Sequence, residues 1–254
     1  MKGVGSIPTV PSSVLNLRRK VKSMKKKRNI LKKALLICCM VELLFSVTSY
    51  ENYSEVFAAS KASYKIVNKR QVKRYKDHKA EYLYQLPQLK GKSADIKRIN
   101  KSIMADYKNS FEYKRRLFDY FEGLKKSSHN YIFYLNKCKV TYNQKGYVSF
   151  KFKSSWYAGG VGNTWEYGLT YRLRDGKKMG IQDVVYGKRS TVKKKIADTY
   201  ARKITRIGYR HIMKMKYSDF DFYIKPGKKV IVCFGPYQPM GGNGHVSIAL
   251  KSKI

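Results

Sequence analysis

The sequence predicts an α+β fold, an antiparallel β-sheet with helices packed on one face. The first observation is the order of segments after about residue 60, which runs strand, helix, antiparallel strands, helix, antiparallel strands. The second is a set of short polar turns, NQKG and RDGK among them, which are typical of hairpins between antiparallel strands. The third is a hydrophobic content of 43% with 14% aromatic residues, which provides for a packed core.

An export signal is predicted over residues 24–62, ahead of these segments. A basic stretch from Lys25 to Lys33 precedes an apolar run from Ala34 to Val47, and small residues follow at 56–62. This order is typical of a secretory leader. The apolar run contains Glu42 and is shorter than the roughly 20 residues of a spanning helix. Both a cleaved leader and an uncleaved membrane anchor fit, and either places the rest of the chain outside the cytoplasm.

Residues 1–23 differ from the leader that follows them. They contain two prolines, no acidic residue and little periodicity, and Met24 is followed at once by the basic stretch. One interpretation is that translation begins at Met24 and that residues 1–23 are an upstream extension. The other is that they form a disordered cytoplasmic tail.

The first elements of the exported part are extended and the next are helical. Residues from Ser63 to Lys76 alternate roughly and predict a strand, and residues 81–91 predict a second extended segment that Pro87 interrupts. Ser93 is the expected N-cap of a helical region from Ala94 to Lys125, as one helix or two. Apolar residues recur there at helical spacing: Ile96, Ile99, Ile103, Met104, Tyr107 and Phe111.

Three strands are predicted in the middle of the chain. The first two, Tyr131 to Tyr142 and Gly146 to Trp156, are joined by the NQKG turn and form a hairpin. A glycine-rich loop at 158–163 leads into the third strand, at 164–173. The turn from Arg174 to Lys177 then closes this group of strands.

The C-terminal part repeats the order of helix and strands. A second helical region is predicted from Thr191 to Met215, because its apolar residues fall on one face. Strands are expected at Ser218 to Ile224 and at Lys229 to Phe234. A loop with four glycines, at 235–244, leads into a last strand at 245–250.

The charge of the chain indicates polyanionic partners. The formal net charge is +39, of which residues 1–33 contribute +11 and residues 34–62 contribute −2, so +30 remains on the exported part. A field of this sign attracts polyanions. Outside the membrane we expect a cell-wall polyanion, peptidoglycan or anionic lipid heads and no nucleic acid. The alternative is a solvated, lysine-rich surface with no partner.

The cysteines allow two arrangements. Cys38 and Cys39 lie in the leader, so Cys138 and Cys233 remain in the exported part. Two cysteines in an exported chain permit one disulfide, and the alternative is a pair of buried thiols. The sequence has no CxxC motif and no clustered Cys/His spacing, so we expect neither a metal site nor another cofactor.

Two parts of the chain resemble known extracellular families. Residues 82–103, an extended segment with a proline followed by an asparagine-bearing helix, resemble the small domain ahead of the catalytic domain in PdaC-type peptidoglycan deacetylases. Residues 156–185 and 222–248 resemble the RsiV extracellular region, through a Tyr-x-Gly-Gly loop, a Gly-Lys turn leading to an aspartate and a late Phe-x-x-Tyr loop. The resemblance implies a PdaC-like region at 63–145 and an RsiV-like region at 146–254, together in one globular unit.

The same resemblance implies a function in the cell envelope. The RsiV region binds lysozyme, so the expectation is an exported, non-enzymatic sensor or binding module for a lysozyme-like protein or a wall glycan. The cytoplasmic side would have at most 33 residues, all basic or neutral, and their sequence predicts no amphipathic helix to hold a sigma factor. The resemblance does not extend to the deacetylase catalytic domain. The alternative is a secreted cell-wall hydrolase, or a deacetylase-related enzyme, with an unrecognised site.

The candidate ligand-binding residues lie in two glycine-rich loops. Glycines let backbone amides face a ligand, and aromatic rings stack on sugars or peptides. The candidates are Tyr157, Gly159, Gly160, Asn163 and Trp165 in the first loop, and Tyr237, Gly241, Gly242 and His245 in the second. The alternative is a pair of structural turns that need positive φ. No catalytic residue is predicted, because Asp175 and Asp183 fit a turn and a cap.

Overall fold

Alternating apolar residues in the first two thirds of the exported part form a five-stranded sheet with strand order β1-β2-β3-β4-β5. The computed structural model describes residues 61–124, 130–239 and 246–254. The parallel pair β2–β3 is flanked by antiparallel pairs. The strands are Tyr64–Tyr75 (β1), His78–Leu89 (β2), Tyr131–Gln144 (β3), Tyr147–Tyr157 (β4) and Gly162–Arg172 (β5).

Two helices connect β2 to β3, because parallel neighbours need a crossover. They are Ala94–Asn109 (α1) and Phe111–Leu124 (α2), so the first helical region consists of two helices. The hydroxyl of Ser93 accepts a hydrogen bond from the amide of Ile96, which confirms Ser93 as the N-cap. At the break, Ser110 donates its hydroxyl to the carbonyl of Tyr107, at 2.6 Å.

Both helices pack on the same face of the sheet. The core between them is built mainly of large rings and branched side chains from alternate strand positions and from one side of each helix. Its most buried members are Tyr82, Tyr84, Ile99, Ile103, Phe121, Phe150, Phe152 and Tyr171. This arrangement confirms the predicted fold class, an antiparallel-dominated sheet with helices on one face.

The C-terminal part forms a second, three-stranded antiparallel sheet with strand order β6-β7-β8. The second helical region also consists of two helices, and both directly precede the sheet in the chain. A shorter helix lies before them. The elements are Ile181–Val184 (α3), Arg189–Lys203 (α4), Gly208–Lys214 (α5), Asp221–Lys225 (β6), Lys229–Phe234 (β7) and Val246–Lys251 (β8). A separate core joins them: Val192, Ile196, Tyr200, Ile212, Phe222, Phe234 and Ile248.

The two sheets meet where β6 crosses the face of β4 and β5 that α1 and α2 leave uncovered. A Cβ atom at Gly168 would overlap the carbonyl group of Phe222, so the backbones approach closely only because this residue is glycine. Beside this contact, the amide of Ile224 donates to the hydroxyl of Ser149 at 3.0 Å. The sheets are thus joined by a backbone-to-backbone contact.

Two asparagine side chains complete the hydrogen bonding of extended backbone. The amide group of Asn100 on α1 both donates to and accepts from the backbone of Leu89, at 2.9 Å each way. Asn143 does the same for Ala62, at 2.7 and 2.8 Å.

Pro87 lies within β2, which was expected to be interrupted there. The strand continues through Pro87, which lies opposite Ile66 of β1. On its other side, β3 pairs only with residues 79–84 of β2, so the missing N–H of Pro87 removes no hydrogen bond to β3.

The predicted boundary between residues 145 and 146 lies in the tight turn of the β3–β4 hairpin. Lys145 and Gly146 both have positive φ there, 53° and 73°. Both predicted regions therefore contribute strands to one sheet.

Residues 1–60, with most of the predicted leader, lie outside the described residues. Within the described ranges, no helix is both long and apolar enough to cross a bilayer.

Replacing Gly168 by alanine should separate the two sheets locally and lower the free energy of unfolding by about 2 kcal/mol or more, as in overpacked cores. The measurement is urea unfolding followed by circular dichroism. Gly123 is the matched control, because a Cβ atom there meets nothing within 4 Å and the residue lies in α2. Gly123→Ala should leave stability unchanged or raise it by up to about 1 kcal/mol. Equal effects of the two changes would contradict the close contact.

Glu81 is the most buried charged residue of the sheet face that lies away from α1 and α2, with only 8% of its surface exposed. It contacts Lys79 at 2.6 Å, Arg70 at 2.8 Å and the hydroxyl of Tyr131 at 3.2 Å. The hydrogen bond from Lys79 lowers the pKa of Glu81 to about 2, with help from Arg70 and Tyr131 and against the cost of burial.

Because the folded pKa of Glu81 lies below the unfolded value, its stabilisation is complete above about pH 5 and is lost as the pH falls toward 2. Glu81→Gln should therefore lower the free energy of unfolding by about 2 kcal/mol at pH 7, and the difference from the parent chain should shrink toward pH 2. Glu122→Gln, at a surface pair with Lys73, should change it by less than about 0.5 kcal/mol. A loss that does not depend on pH would contradict this account.

Candidate functional site

An aromatic cleft of about 440 Å³ opens between α2 and the adjoining ends of β3 and β4. Helical spacing places its α2 residues on one side of that helix. Antiparallel pairing places Tyr134 opposite Trp156 on the sheet face that the helices cover, and Phe133 opposite Tyr157 on the other face. Tyr134 and Trp156 therefore form the wall toward α2, and Phe133 and Tyr157 border the cleft at the strand ends. The lining residues are Tyr113, Arg116, Leu117, Tyr120, Phe133, Tyr134, Trp156, Tyr157 and Ala158.

The rings of the cleft support one another. Tyr113 stacks on Tyr134 with 4.9 Å between ring centroids and 12° between planes. At the strand ends that border the cleft, Phe133 stacks on Tyr157 at 5.9 Å and 29°. Trp165 lies against both members of the first pair, 6.2 Å from Tyr113 and 6.3 Å from Tyr134. These ring contacts hold Tyr113 and Tyr134 in place at the cleft.

Part of this aromatic surface faces solvent. Tyr113 is 47% exposed and Tyr120 is 52% exposed, both well above the half-buried Phe133 and Tyr157. Single exposed rings are ordinary on protein surfaces, but a concave group of them is typical of binding sites. The geometry suits a flat, partly apolar ligand such as a sugar ring or an aromatic or apolar side chain.

Arg116 supplies the charge among the described lining residues. Its Nε donates to Glu112 at 2.8 Å, and Arg115 donates to the same carboxylate at 2.9 Å. The hydrogen bond from Arg115 lowers the pKa of Glu112 to about 2, with Arg116 adding to it. Arg116 is thus oriented by Glu112 beside the rings, with further N–H groups available to an anionic or carbonyl group.

The side chains that line the cleft are aromatic, aliphatic or cationic. Its described lining residues include no carboxylate, imidazole, thiol or aliphatic hydroxyl. Across the described ranges, no three His, Cys, Asp or Glu side chains lie close enough together to hold a metal ion.

The first predicted loop contributes to the cleft in part. Tyr157 lines it and Trp165 supports its wall. Gly159 and Gly160 form the β4–β5 turn with φ of 69° and 102°, so the structural-turn alternative accounts for these two glycines. The side-chain oxygen of Asn163 accepts a hydrogen bond from the amide of Thr164 at 2.8 Å, a local role in the same hairpin.

The second predicted loop does not join the first at the cleft as far as it is described. Tyr237 is 66% exposed and has a φ of 65°, and it is not among the residues that line the cleft. Gly241, Gly242 and His245 lie outside the described residues.

Cys138 and Cys233 are both free and buried, so among the described residues the buried-thiol alternative holds and these two cysteines form no disulfide. Cys138 belongs to the core under α1 and α2, whereas Cys233 lies on β7 with Tyr223 and Ile231. Burial raises the pKa of both thiols to about 12, which leaves them uncharged and unreactive at neutral pH.

The two aspartates considered at the sequence level have structural roles. Asp175 accepts a hydrogen bond from the amide of Lys177 at 3.1 Å and pairs with Arg172 in the turn after β5. Asp183 accepts from the amide of Gly180 at 2.9 Å, at the start of α3.

Sequence reasoning missed most of the cleft. The sequence predicts a helix for Tyr113, Arg116 and Tyr120 and a strand for Phe133. It does not mark any of them as a binding residue. The available signal was the seven-residue spacing of Tyr113 and Tyr120, which places both rings on one side of the helix and away from the buried Phe118 and Phe121.

No family model matches the chain, and no curated protein matches it in sequence. A solved DUF3298 family member from Bacteroides fragilis has a TM-score of 0.50 and 10% identity, and the alignment covers 76% of this chain and 90% of that one. A DUF3298 family protein from Pseudomonas aeruginosa has a TM-score of 0.46 and 13% identity, covering 76% and 92%. The first likeness concerns the fold alone and is compatible with an RsiV-like domain, although neither structure is named as an RsiV or PdaC protein.

Tyr157 both packs and faces the cleft, so its truncation should have an intermediate cost. Tyr157→Ala should lower the free energy of unfolding by about 1–2 kcal/mol, because the ring is half-buried and stacked on Phe133. Tyr157→Phe keeps the stack and should stay within about 0.5 kcal/mol of the parent. Urea unfolding of both variants is the measurement. A loss above about 3 kcal/mol would assign the ring wholly to the core.

Proposed function

We propose that this protein is an exported, non-enzymatic binding module of the cell envelope whose aromatic cleft takes a wall glycan. The observation that carries the proposal is the cleft itself, which six aromatic residues line with Arg116 at its side. Its volume of about 440 Å³ falls in the range of small-ligand sites. The cell-envelope location depends on the export signal predicted at residues 24–62.

The chemistry of a wall glycan fits both parts of the cleft. The apolar faces of sugar rings stack on aromatic side chains, and the exposed faces of Tyr113 and Tyr120 are placed for this. Peptidoglycan also carries carboxylates on its peptide stems, and a guanidinium such as that of Arg116 binds a carboxylate through two parallel hydrogen bonds.

A protein ligand is the second candidate that the cleft geometry allows. An apolar side chain of a lysozyme-like protein would fit between the same rings. The surface around its contact would have to be acidic, because this chain carries +30 after residue 62. A glycan with anionic groups itself carries the negative charge that this chain attracts.

An enzymatic role would need an acid and a base near the ligand. Glycoside hydrolysis, for example, uses two carboxyl groups that flank the scissile bond. The described residues that line the cleft do not supply such a pair. This observation favours binding over hydrolysis at the cleft.

Removing rings from the cleft should weaken glycan binding. Tyr120→Ala and Trp156→Ala should each raise the Kd for a soluble peptidoglycan fragment by about tenfold, since one stacked ring contributes on the order of 1 kcal/mol. Tyr186→Ala is the matched control: Tyr186 is 47% exposed, as Tyr120 is 52% exposed, and it lies outside the cleft. Isothermal titration calorimetry measures all three variants.

Two further variants separate the contributions. Arg116→Gln should weaken binding of fragments with a free stem carboxylate more than binding of the bare glycan. Tyr237→Ala should leave the Kd unchanged, because Tyr237 does not line the cleft. Equal binding by Tyr120→Ala, Trp156→Ala and the parent chain would overturn the proposal. Release of new reducing ends from the fragment would favour the hydrolase alternative.

A further inference from the structure

We propose that the outward sides of α4 and α5 form a basic face that docks on an anionic lipid bilayer. The basic face comprises the exposed residues between 188 and 216. It belongs to the three-stranded part of the molecule, on elements that contribute nothing to the aromatic cleft, so this inference does not rest on the proposed function.

Charge is concentrated on this face. The 29 residues from 188 to 216 contain 11 Lys and Arg and one acidic residue, Asp198, for a net charge of +10. They thus supply a third of the +30 that the chain carries after residue 62, in less than a sixth of its length. Ten of the eleven cations are exposed, and Asp198 is paired with Lys194 at 2.8 Å.

Apolar side chains stand among these cations. Ile207 is 65% exposed, Ile204 is 45% exposed and Met213 is 38% exposed. Along α5, a helical stripe of cations continues from Ile207 and lines a shallow hollow of about 460 Å³. The residues that line this hollow are Arg206, Ile207, Arg210, His211 and Lys214.

This combination selects lipid over a hydrophilic polymer. Cations beside exposed apolar tips are typical of surfaces that lie at the boundary of headgroups and acyl chains. A wall phosphate polymer would satisfy the cations and leave Ile204, Ile207 and Met213 in water. An anionic bilayer satisfies both, because its headgroups meet the cations and its acyl boundary takes the apolar tips.

The basic face is held rigidly from beneath. Val192, Ile196 and Ile212 are fully buried in the core below it. The two helices are also joined directly, because Lys193 donates to the backbone carbonyl of Met213 at 3.0 Å. The cations of α4 and α5 are therefore presented together before any bilayer is met, which reduces the entropy lost on docking.

The test places a tryptophan on the basic face of the full chain. The emission of the parent chain, which comes from Trp156 and Trp165, is subtracted from that of each variant, so that the quenching is read at the added ring alone. Ile207→Trp is mixed with vesicles of phosphatidylglycerol and phosphatidylcholine whose acyl chains carry bromine, which quenches only rings at the acyl boundary. Val161→Trp is the matched control, because Val161 is 62% exposed and lies in the β4–β5 turn. We expect quenching by half or more at position 207 and by less than a tenth at position 161.

Charge removal completes the test. In the Ile207→Trp chain, the triple change Arg206→Gln, Arg210→Gln and Lys214→Gln should raise the lipid concentration for half-maximal quenching about a hundredfold, at roughly fivefold per charge. The same number of charges removed by Lys137→Gln, Lys139→Gln and Lys153→Gln, on the exposed side of β3 and β4, should raise it less than threefold.

Three results would overturn the proposal. They are equal quenching at positions 207 and 161, equal effects of the two triple changes, and quenching that is the same with vesicles of phosphatidylcholine alone. If a soluble poly(glycerol phosphate) competes for the same cations while brominated vesicles cause no quenching, the face binds wall polymer and not lipid.

Discussion

The contact between Gly168 and the backbone of Phe222 is the constraint on which the rest of the fold depends. A side chain at residue 168 would hold β6 away from β5, so glycine alone permits the approach. Around it, the hydroxyl of Ser149 accepts from Ile224, and Lys151 pairs with Glu166 beside Tyr223. These polar groups are satisfied across the junction, which a buried contact between two sheets requires. Everything that packs on β6, including α4 and α5, takes its position from this junction.

The division of the sheet faces explains where the two candidate surfaces lie. Helices α1 and α2 cover one face of the five-stranded sheet, and β6 covers part of the other at β4 and β5. The outer side of α2 and the adjoining ends of β3 and β4 are left open, and the aromatic cleft forms there. The helices α4 and α5 bury one side against β6–β8, so their cations remain on the outside.

Local sequence signals predicted the elements well and their long-range partners poorly. The cap at Ser93, the β3–β4 hairpin and the helical regions depend on neighbouring residues, and each could be inferred from spacing. The parallel pairing of β2 with β3, the division into two sheets and the separation of Cys138 from Cys233 depend on contacts distant in the chain. Tyr157 was found because it adjoins a glycine turn. Tyr113 and Tyr120 were not, since periodicity does not say which of several aromatic residues on a helix faces the core.

The two proposed binding surfaces differ in the physics of attraction, which suits them to separate tasks. The basic face works through charge, which salt screens within about 10 Å at 0.1 M, whereas stacking in the cleft is almost independent of salt. A cleft that relies on a few rings and one guanidinium has limited affinity for a free ligand. If the basic face holds the protein at the membrane surface, the local concentration of the cleft near the wall rises, and weak contacts suffice for occupancy. On this proposal, the uneven distribution of the +30 charge would position the protein at the membrane, and the aromatic rings of the cleft would recognise the ligand.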